Sequence, residues 1–255
     1  MTSEQILSKP APPADARLHY GSDPNQFGEL RVPASKGPHR IVTVIHGGFW
    51  RARYDLTHAG HLCAALTRAG IATWNLEYRR VGNEGGGWPG SFSDVLQGHR
   101  FLGQIANRFA LDTGRSAVMG HSAGAQLALC LAARQHNLRG AVSLAGVVDL
   151  QRAWELHLSH DAVAQFLGGS PQQVPDHYKE ASPLEIAIPR VAQRLIHGTA
   201  DLTVPLEMSR NYVAAKRRHG EDATLLELAA AGHFELIDPG SPAWSKVQQL
   251  VEKLM

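Results

Sequence analysis

A serine, an aspartate and a histidine stand in that chain order, each just beyond an apolar run, and together they could perform nucleophilic acyl chemistry. Gly120-His121-Ser122-Ala123-Gly124 reads G-x-S-x-G between a β-prone run, Ser116–Met119, and a small, largely apolar helical run, Ala123–Arg134. A turn that passes from strand to helix this abruptly has no room for side chains at its flanks. It therefore takes glycines and pushes the serine hydroxyl outward. The helix N-terminus behind it presents backbone N–H groups and a positive dipole end, which favour an oxyanion. A serine nucleophile needs a base, and the base needs a carboxylate to orient it. Arg194–His197 runs into Gly198-Thr199-Ala200-Asp201, and Ala223–Leu228 runs into Ala231-Gly232-His233-Phe234. Asp201 and His233 thus follow two later strand ends; Asp149, after the run Ala141–Leu144, is the competing carboxylate with a longer reach to His233. Arg40–Ile45 ends in His46-Gly47-Gly48-Phe49-Trp50, where a glycine pair lets backbone N–H groups approach an oxyanion closely.

Something must carry these residues to one place, and the pattern of the chain says what. Arg17–Tyr20 and Gly28–Val32 read as an antiparallel hairpin across a Gly-Ser-Asp-Pro-Asn turn. Arg40–Ile45, Ile71–Leu76, Ser116–Met119, Ala141–Leu144, Arg194–His197 and Ala223–Leu228 read as further strands, and Arg40–Ile45 is apolar enough to be buried on both faces. Helices are expected over about 55–68, from a Ser91/Asp94 capping box to Phe109, over 123–134, 206–218, and from a Ser241 cap to the C-terminus. Alternating strand and helix predicts an α/β fold: a mostly parallel eight-stranded sheet with helices on both faces, its chemistry at the carboxyl ends of the strands. Residues 1–16 read as a flexible polar arm and 17–255 as a single domain. Between Asp149 and Arg190 lies an insertion with one expected helix, Ala153–Phe166, which predicts a small partial cap over about 150–190.

The chain resembles the α/β-hydrolases of the hormone-sensitive-lipase-like group. Its H-G-G-x-W segment at His46–Trp50 is most similar to the kynurenine formamidase-like and small bacterial esterase branch. Tyr20-Gly21 with Gln26-Phe27-Gly28, and Tyr78-Arg79-Arg80, resemble the same branch, so the similarity spans nearly the whole chain. The resemblance implies a Ser122–Asp201–His233 triad with an oxyanion hole of the Gly48, Phe49 and Ala123 N–H groups. It departs from the family at Ala125, where a second glycine is common, a change that touches helix packing more than chemistry. The expected activity is hydrolysis of a small carboxylic ester or an aryl formamide such as N-formylkynurenine through an acyl-enzyme. No cofactor is required, and the partner is a small-molecule substrate. A peptidase, or a homologue that binds without turnover, are the alternatives.

Other features are weighed against this reading. Trp50 and Trp88, the latter in the Gly82–Gly90 loop, are candidates to line the substrate pocket. Arg79 and Arg80 either bind a substrate carboxylate or are salt-bridged. Fourteen histidines invite a metal reading, but the His58/His61 and His157/His160 pairs lack a further converging ligand or an HExxH signature, so no metal is expected. A net charge of +2 with no basic run argues against nucleic acid. No run approaches the ~20 apolar residues of a membrane span, and the N-terminal residues lack a signal-peptide core. Two cysteines exclude a disulfide scaffold and are expected to be buried free thiols. The expectation is a cytoplasmic protein, with the oligomeric state, a homodimer included, left open.

Overall fold

The strand His39–Ile45 shows why this sheet is covered on both faces. Ile41 and Ile45 belong to one apolar cluster, Val42 and Val44 to the other, and all four are 3% exposed or less. Side chains alternate across a strand, so an unbroken apolar run must meet cover on each side. In a computed structural model that describes residues 3–255, the elements run β1 (Ala16–His19), β2 (Phe27–Arg31), β3 (His39–Ile45), α1 (Gly60–Arg68), β4 (Ala72–Leu76), α2 (Gly90–Ile105), β5 (Leu111–His121), α3 (Ala123–Arg134), β6 (Gly140–Leu144), α4 (Leu150–Glu155), α5 (Ala162–Leu167), α6 (Pro175–Ala181), β7 (Ala192–Gly198), α7 (Leu206–Arg218), β8 (Ala223–Leu228) and α8 (Trp244–Leu254). The sheet order is β1-β2-β4-β3-β5-β6-β7-β8. β2 pairs antiparallel with β1 and β4, and every pairing from β4 to β8 is parallel. This is the α/β-hydrolase fold. One cluster holds the inner faces of α2, α3 and α7; the other holds those of α1 and α8. The expected inner stripe of α8 is buried at Trp244, Val247 and Val251 and only partly so at Leu254. α3 is buried from Ala123 to Ala133, as its lack of a polar face requires.

Several local expectations are corrected. The helix expected from Asp55 is a 3-10 turn, Leu56–Ala59, capped by the Asp55 carboxylate and followed by α1. Ser91 and Asp94 form no capping box: Ser91 Oγ donates to Arg79 O at 2.5 Å, and Asp94 takes a bidentate guanidinium from Arg79, a stronger partner than its own helix. Ser241 donates to Glu235 O, and α8 starts only at Trp244. The one helix expected over 153–166 is two, α4 and α5, broken by His157, Ser159, His160 and Asp161 with φ of 49–57°. The N-terminal residues do not form a free arm. Ile6 is 3% exposed in the second cluster, Pro12 O accepts from Arg31 Nη2 at 2.7 Å, and Asp15 N–H donates to Leu30 O at 2.9 Å. Met1 and Thr2, also expected in that arm, lie outside the described residues.

Candidate active site

The elbow between β5 and α3 explains its own glycines. A Cβ on Gly120 would sit 2.2 Å from Gly124 O, and one on Gly124 would sit 2.2 Å from Ile45 O. Ser122 itself holds φ 55° and ψ −122°, a strained conformation for a residue with a side chain. Its N–H donates to Leu144 O at 2.8 Å and its carbonyl accepts from Val147 at 3.2 Å, so β6 and the loop after it hold the strain in place.

His233 and Asp201 meet behind the serine. His233 Nδ1 donates to Asp201 Oδ2 at 2.7 Å, while Asp149, the competing carboxylate, caps α4 by accepting from Arg152 N–H at 2.9 Å. Burial alone would raise the Asp201 carboxyl. Bonds from His197 and His233 and from the Val204 N–H outweigh it and hold the group below the ordinary carboxylate range. His197 is fixed in turn, Nδ1 against Ser209 Oγ at 2.7 Å and Nε2 donating to Val204 O at 2.9 Å. Nδ1 is the one ring nitrogen of His233 with a hydrogen bond among the described residues, and the ring lines a cavity with Ser122. Apo catalytic hydrogen bonds commonly close only around substrate.

The cavity holds about 130 Å³ and is lined by Gly48, Phe49, His58, His121, Ser122 and His233, among others. Among the described residues, the backbone N–H groups of Gly48, Phe49 and Ala123 donate to no carbonyl or side chain. Unpaired donors around a serine are what an oxyanion hole needs. The Gly48-Phe49-Trp50 run has φ of 108°, 49° and 56°, which turns these N–H groups away from any strand partner. A buried hub fixes the loop from below. His46 Nδ1 donates to Gly47 O at 2.8 Å and Nε2 to Glu77 Oε1 at 2.9 Å; Arg80 reaches the same carboxylate at 3.0 Å, and Tyr78 Oη donates to His46 O at 3.0 Å. Burial opposes the Glu77 charge, but His46 and Arg80 hold its pKa below the usual value.

A profile of the BD-FAE family matches residues 30–215, nearly three quarters of the chain. The chain belongs to the BD-FAE family. It is 25% identical to a probable isoprenylcysteine alpha-carbonyl methylesterase of Oryza sativa subsp. japonica, over 85% of this chain and 57% of that protein. It is also 25% identical to the esterase LipC of Mycobacterium tuberculosis, over 87% and 60%. The chain thus spans less than two thirds of these relatives. A truncated carbohydrate esterase from gut microbiota superposes with a TM-score of 0.82 at 20% identity, covering 96% of this chain and 99% of that one. A propionate-bound esterase of Thermogutta terrifontis gives 0.75 at 21% identity, covering 94% and 93%. At such identities these likenesses show the fold.

Two sequence candidates are not brought to the cavity. Trp50 is fully buried, stacked on Phe166 with centroids 4.4 Å apart, and its Nε1–H donates to Gln126 Oε1 at 3.0 Å. Trp88 stacks on Phe92 at 5.3 Å and lies away from the lining. The left-handed turn at Phe49 and Trp50 directs the indole into the core and leaves Phe49 at the cavity. Arg79 and Arg80 are salt-bridged, to Asp94 and Glu77.

Sequence reasoning also missed residues that the structure places here. His121, the variable residue of the serine motif, contacts His233 O from Nε2 at 3.0 Å. A carbonyl only accepts, so Nε2 carries the proton. Burial and the nearby His233 keep the His121 pKa well below its ordinary value. His58 lines the cavity and is pushed down to about 3, chiefly by burial. Leu7, from the N-terminal segment, lines the cavity as well. No sequence period marks these positions, because His121 ends β5 and His58 and Leu7 lie in short 3-10 segments. Cys63 and Cys130 are free and buried.

Proposed function

We propose that the protein is a serine esterase acting on short-acyl carboxylic esters. One observation carries this reading: Ser122 and His233 line one small cavity, and Asp201 lies 2.7 Å behind the histidine. Ser122 Oγ attacks the ester carbonyl while His233 Nε2 takes its proton. Asp201 holds the Nδ1–H tautomer and stabilises the imidazolium. The tetrahedral oxyanion forms against the N–H groups of Gly48, Phe49 and Ala123. As the carbonyl re-forms, the C–O bond breaks and His233 gives its proton to the leaving alkoxide or phenoxide. Water then repeats the cycle, releasing the acid and restoring Ser122. A cavity near 130 Å³ is close to the roughly 150 Å³ that takes up benzene, so the acyl group is small. The similarity to the rice methylesterase and the mycobacterial esterase supports ester chemistry.

The small cavity also suits a formyl group. Together with the H-G-G-x-W segment, this supports N-formylkynurenine-type aryl formamides as a second substrate class. We read residues 17–255 as one domain with 150–190 as its partial cap, since Ser159 of that insertion lines the cavity. No helix of the described residues is long and apolar enough to cross a membrane, and two free thiols suit the cytoplasm. The test is kcat/KM for 4-nitrophenyl acetate and for N-formyl-L-kynurenine, with Ser122→Ala as blank. A Ser122-dependent value of about 10⁴ M⁻¹s⁻¹ or more for the ester is expected. Such a value for the formamide alone would transfer the assignment to formamidase, and wild-type-like turnover by Ser122→Ala would refute both.

A further inference from the structure

Four arginines lie in the loops after β3 and β4, and three are consumed by the fold: Arg51 donates to Ser159 Oγ and to the Ser159 and His160 carbonyls. Arg79 is bound bidentate by Asp94, and Arg80 by Glu77, Asn25 and the Tyr54 carbonyl. Arg53 differs. It is exposed, it lines the cavity beside Ser122, and it makes no ion pair among the described residues. Its position is nevertheless set. The guanidinium lies over the Tyr54 ring, 4.7 Å from the centroid. Tyr54 Cβ lies 2.5 Å from where Gly48 would carry its own Cβ. The ring rests on the backbone of the oxyanion loop and the guanidinium rests on the ring.

We propose that Arg53 forms a carboxylate subsite, so that the substrate is an ester carrying a carboxylate about one aromatic ring's width from its scissile carbonyl. This rests on the esterase reading. Among the described residues the lining contains no aspartate or glutamate to compete for the guanidinium. His58 and His121 are neutral near pH 7, so they add no rival positive charge. Ser159 and Thr203 line the same space, and the Ser159 hydroxyl accepts from Arg51 Nη1 at 3.2 Å. A planar guanidinium with free N–H groups takes a carboxylate in two parallel hydrogen bonds, which a hydroxyl or a neutral amide does not match. A cavity of about 130 Å³, close to the roughly 150 Å³ that takes up benzene, admits one ring, so a benzoate-type ester with its scissile carbonyl carbon at Ser122 is the ligand that tests for a carboxylate at Arg53.

The test uses two ligands of one shape and different charge. Binding of 4-hydroxybenzoate and 4-hydroxybenzamide to the full-length Ser122→Ala protein is measured by calorimetry. In parallel, kcat/KM is measured for the matching acetates, 4-acetoxybenzoate and 4-acetoxybenzamide, on wild-type enzyme. The anion is expected to bind about tenfold tighter, with the advantage shrinking as salt is raised. Added Arg53→Gln abolishes the difference and Arg53→Glu reverses it. Equal binding of the two ligands, or a preference for the anion that survives Arg53→Gln, overturns the subsite. In that case Ser122-dependent turnover of both acetates leaves the esterase reading intact. Arg53-dependent binding without turnover of either acetate keeps the subsite and refutes the esterase.

Discussion

Ser122, His233 and Asp201 differ in how tightly the protein holds them, and this sets what each substitution does. Asp201 Oδ1 accepts from the N–H groups of Thr203 and Val204 at 2.8 and 2.9 Å, while Oδ2 serves the two histidines. Asp201→Asn therefore replaces an acceptor by a donor opposite His233 Nδ1 and favours the wrong tautomer. It is expected to lower kcat by about 10⁴, and Ser122→Ala by about 10⁴–10⁶, both read from ester hydrolysis at saturating substrate. A decrease of less than tenfold for Asp201→Asn would mean that another group orients the base. The chain order Ser, Asp, His made this trio legible in the sequence, because each residue ends a recognisable strand. His121 and His58 were not legible. Their contacts depend on how the end of β5 meets the 3-10 turn after Asp55, and neither belongs to a periodic pattern.

The elbow and the proposed oxyanion loop, Gly48–Trp50, act as units, and their tolerances differ. At Gly124 the added methyl would meet backbone carbonyls of β3, which cannot rotate away. Gly124→Ala is expected to cost about 1–3 kcal/mol or more and to lower Tm, measured by thermal unfolding; an unchanged Tm would show that β3 and α3 can part freely. Below the oxyanion loop, Glu77→Gln leaves Arg80 and His46, at 4% and 0% side-chain exposure, facing an uncharged partner. Breaking such a buried pair costs about 3–5 kcal/mol. Because the hub also holds the loop, kcat is expected to fall with Tm. A stable Glu77→Gln enzyme with wild-type kcat would separate the hub from the loop. α3, a nearly unbroken apolar run, and β8, a short β-prone run, were legible to the residue. The helix break within the 150–190 insertion was not, because α4 is followed by left-handed His, Ser and Asp residues with no glycine to announce them. The inward turn of Trp50 escaped for the same reason.

The molecule as a whole stores several neutral histidines in its interior. Burial pushes His58 down to about 3 and His99 to about 4, and drives His121 well below its ordinary value of 6.5. Below pH 6.5 the unfolded chain takes up protons that these folded histidines refuse, so stability falls as pH falls towards 3. Asp201 acts in the same direction lower down. Its folded carboxyl stays ionised after the unfolded one has begun to protonate below its ordinary 3.8, and the stability it contributes is lost as pH falls through the folded value. Tm is therefore expected to drop by on the order of 10 °C between pH 7 and 4, followed by circular dichroism. A flat profile would mean that these rings open to water. The mostly parallel eight-stranded sheet and its helices on both faces were legible because β-branched runs and helical stripes alternate along the chain. The docked N-terminal segment was not, since its polar, proline-rich composition hides the single burial at Ile6.

The central claim is that Ser122 is an activated nucleophile. It is tested most directly by treating the folded protein with a fluorophosphonate and measuring intact mass, followed by peptide mapping. One adduct on the peptide containing Ser122, absent from Ser122→Ala, is the expected result. No adduct on folded wild-type protein, or equal labelling of Ser122→Ala, would contradict it.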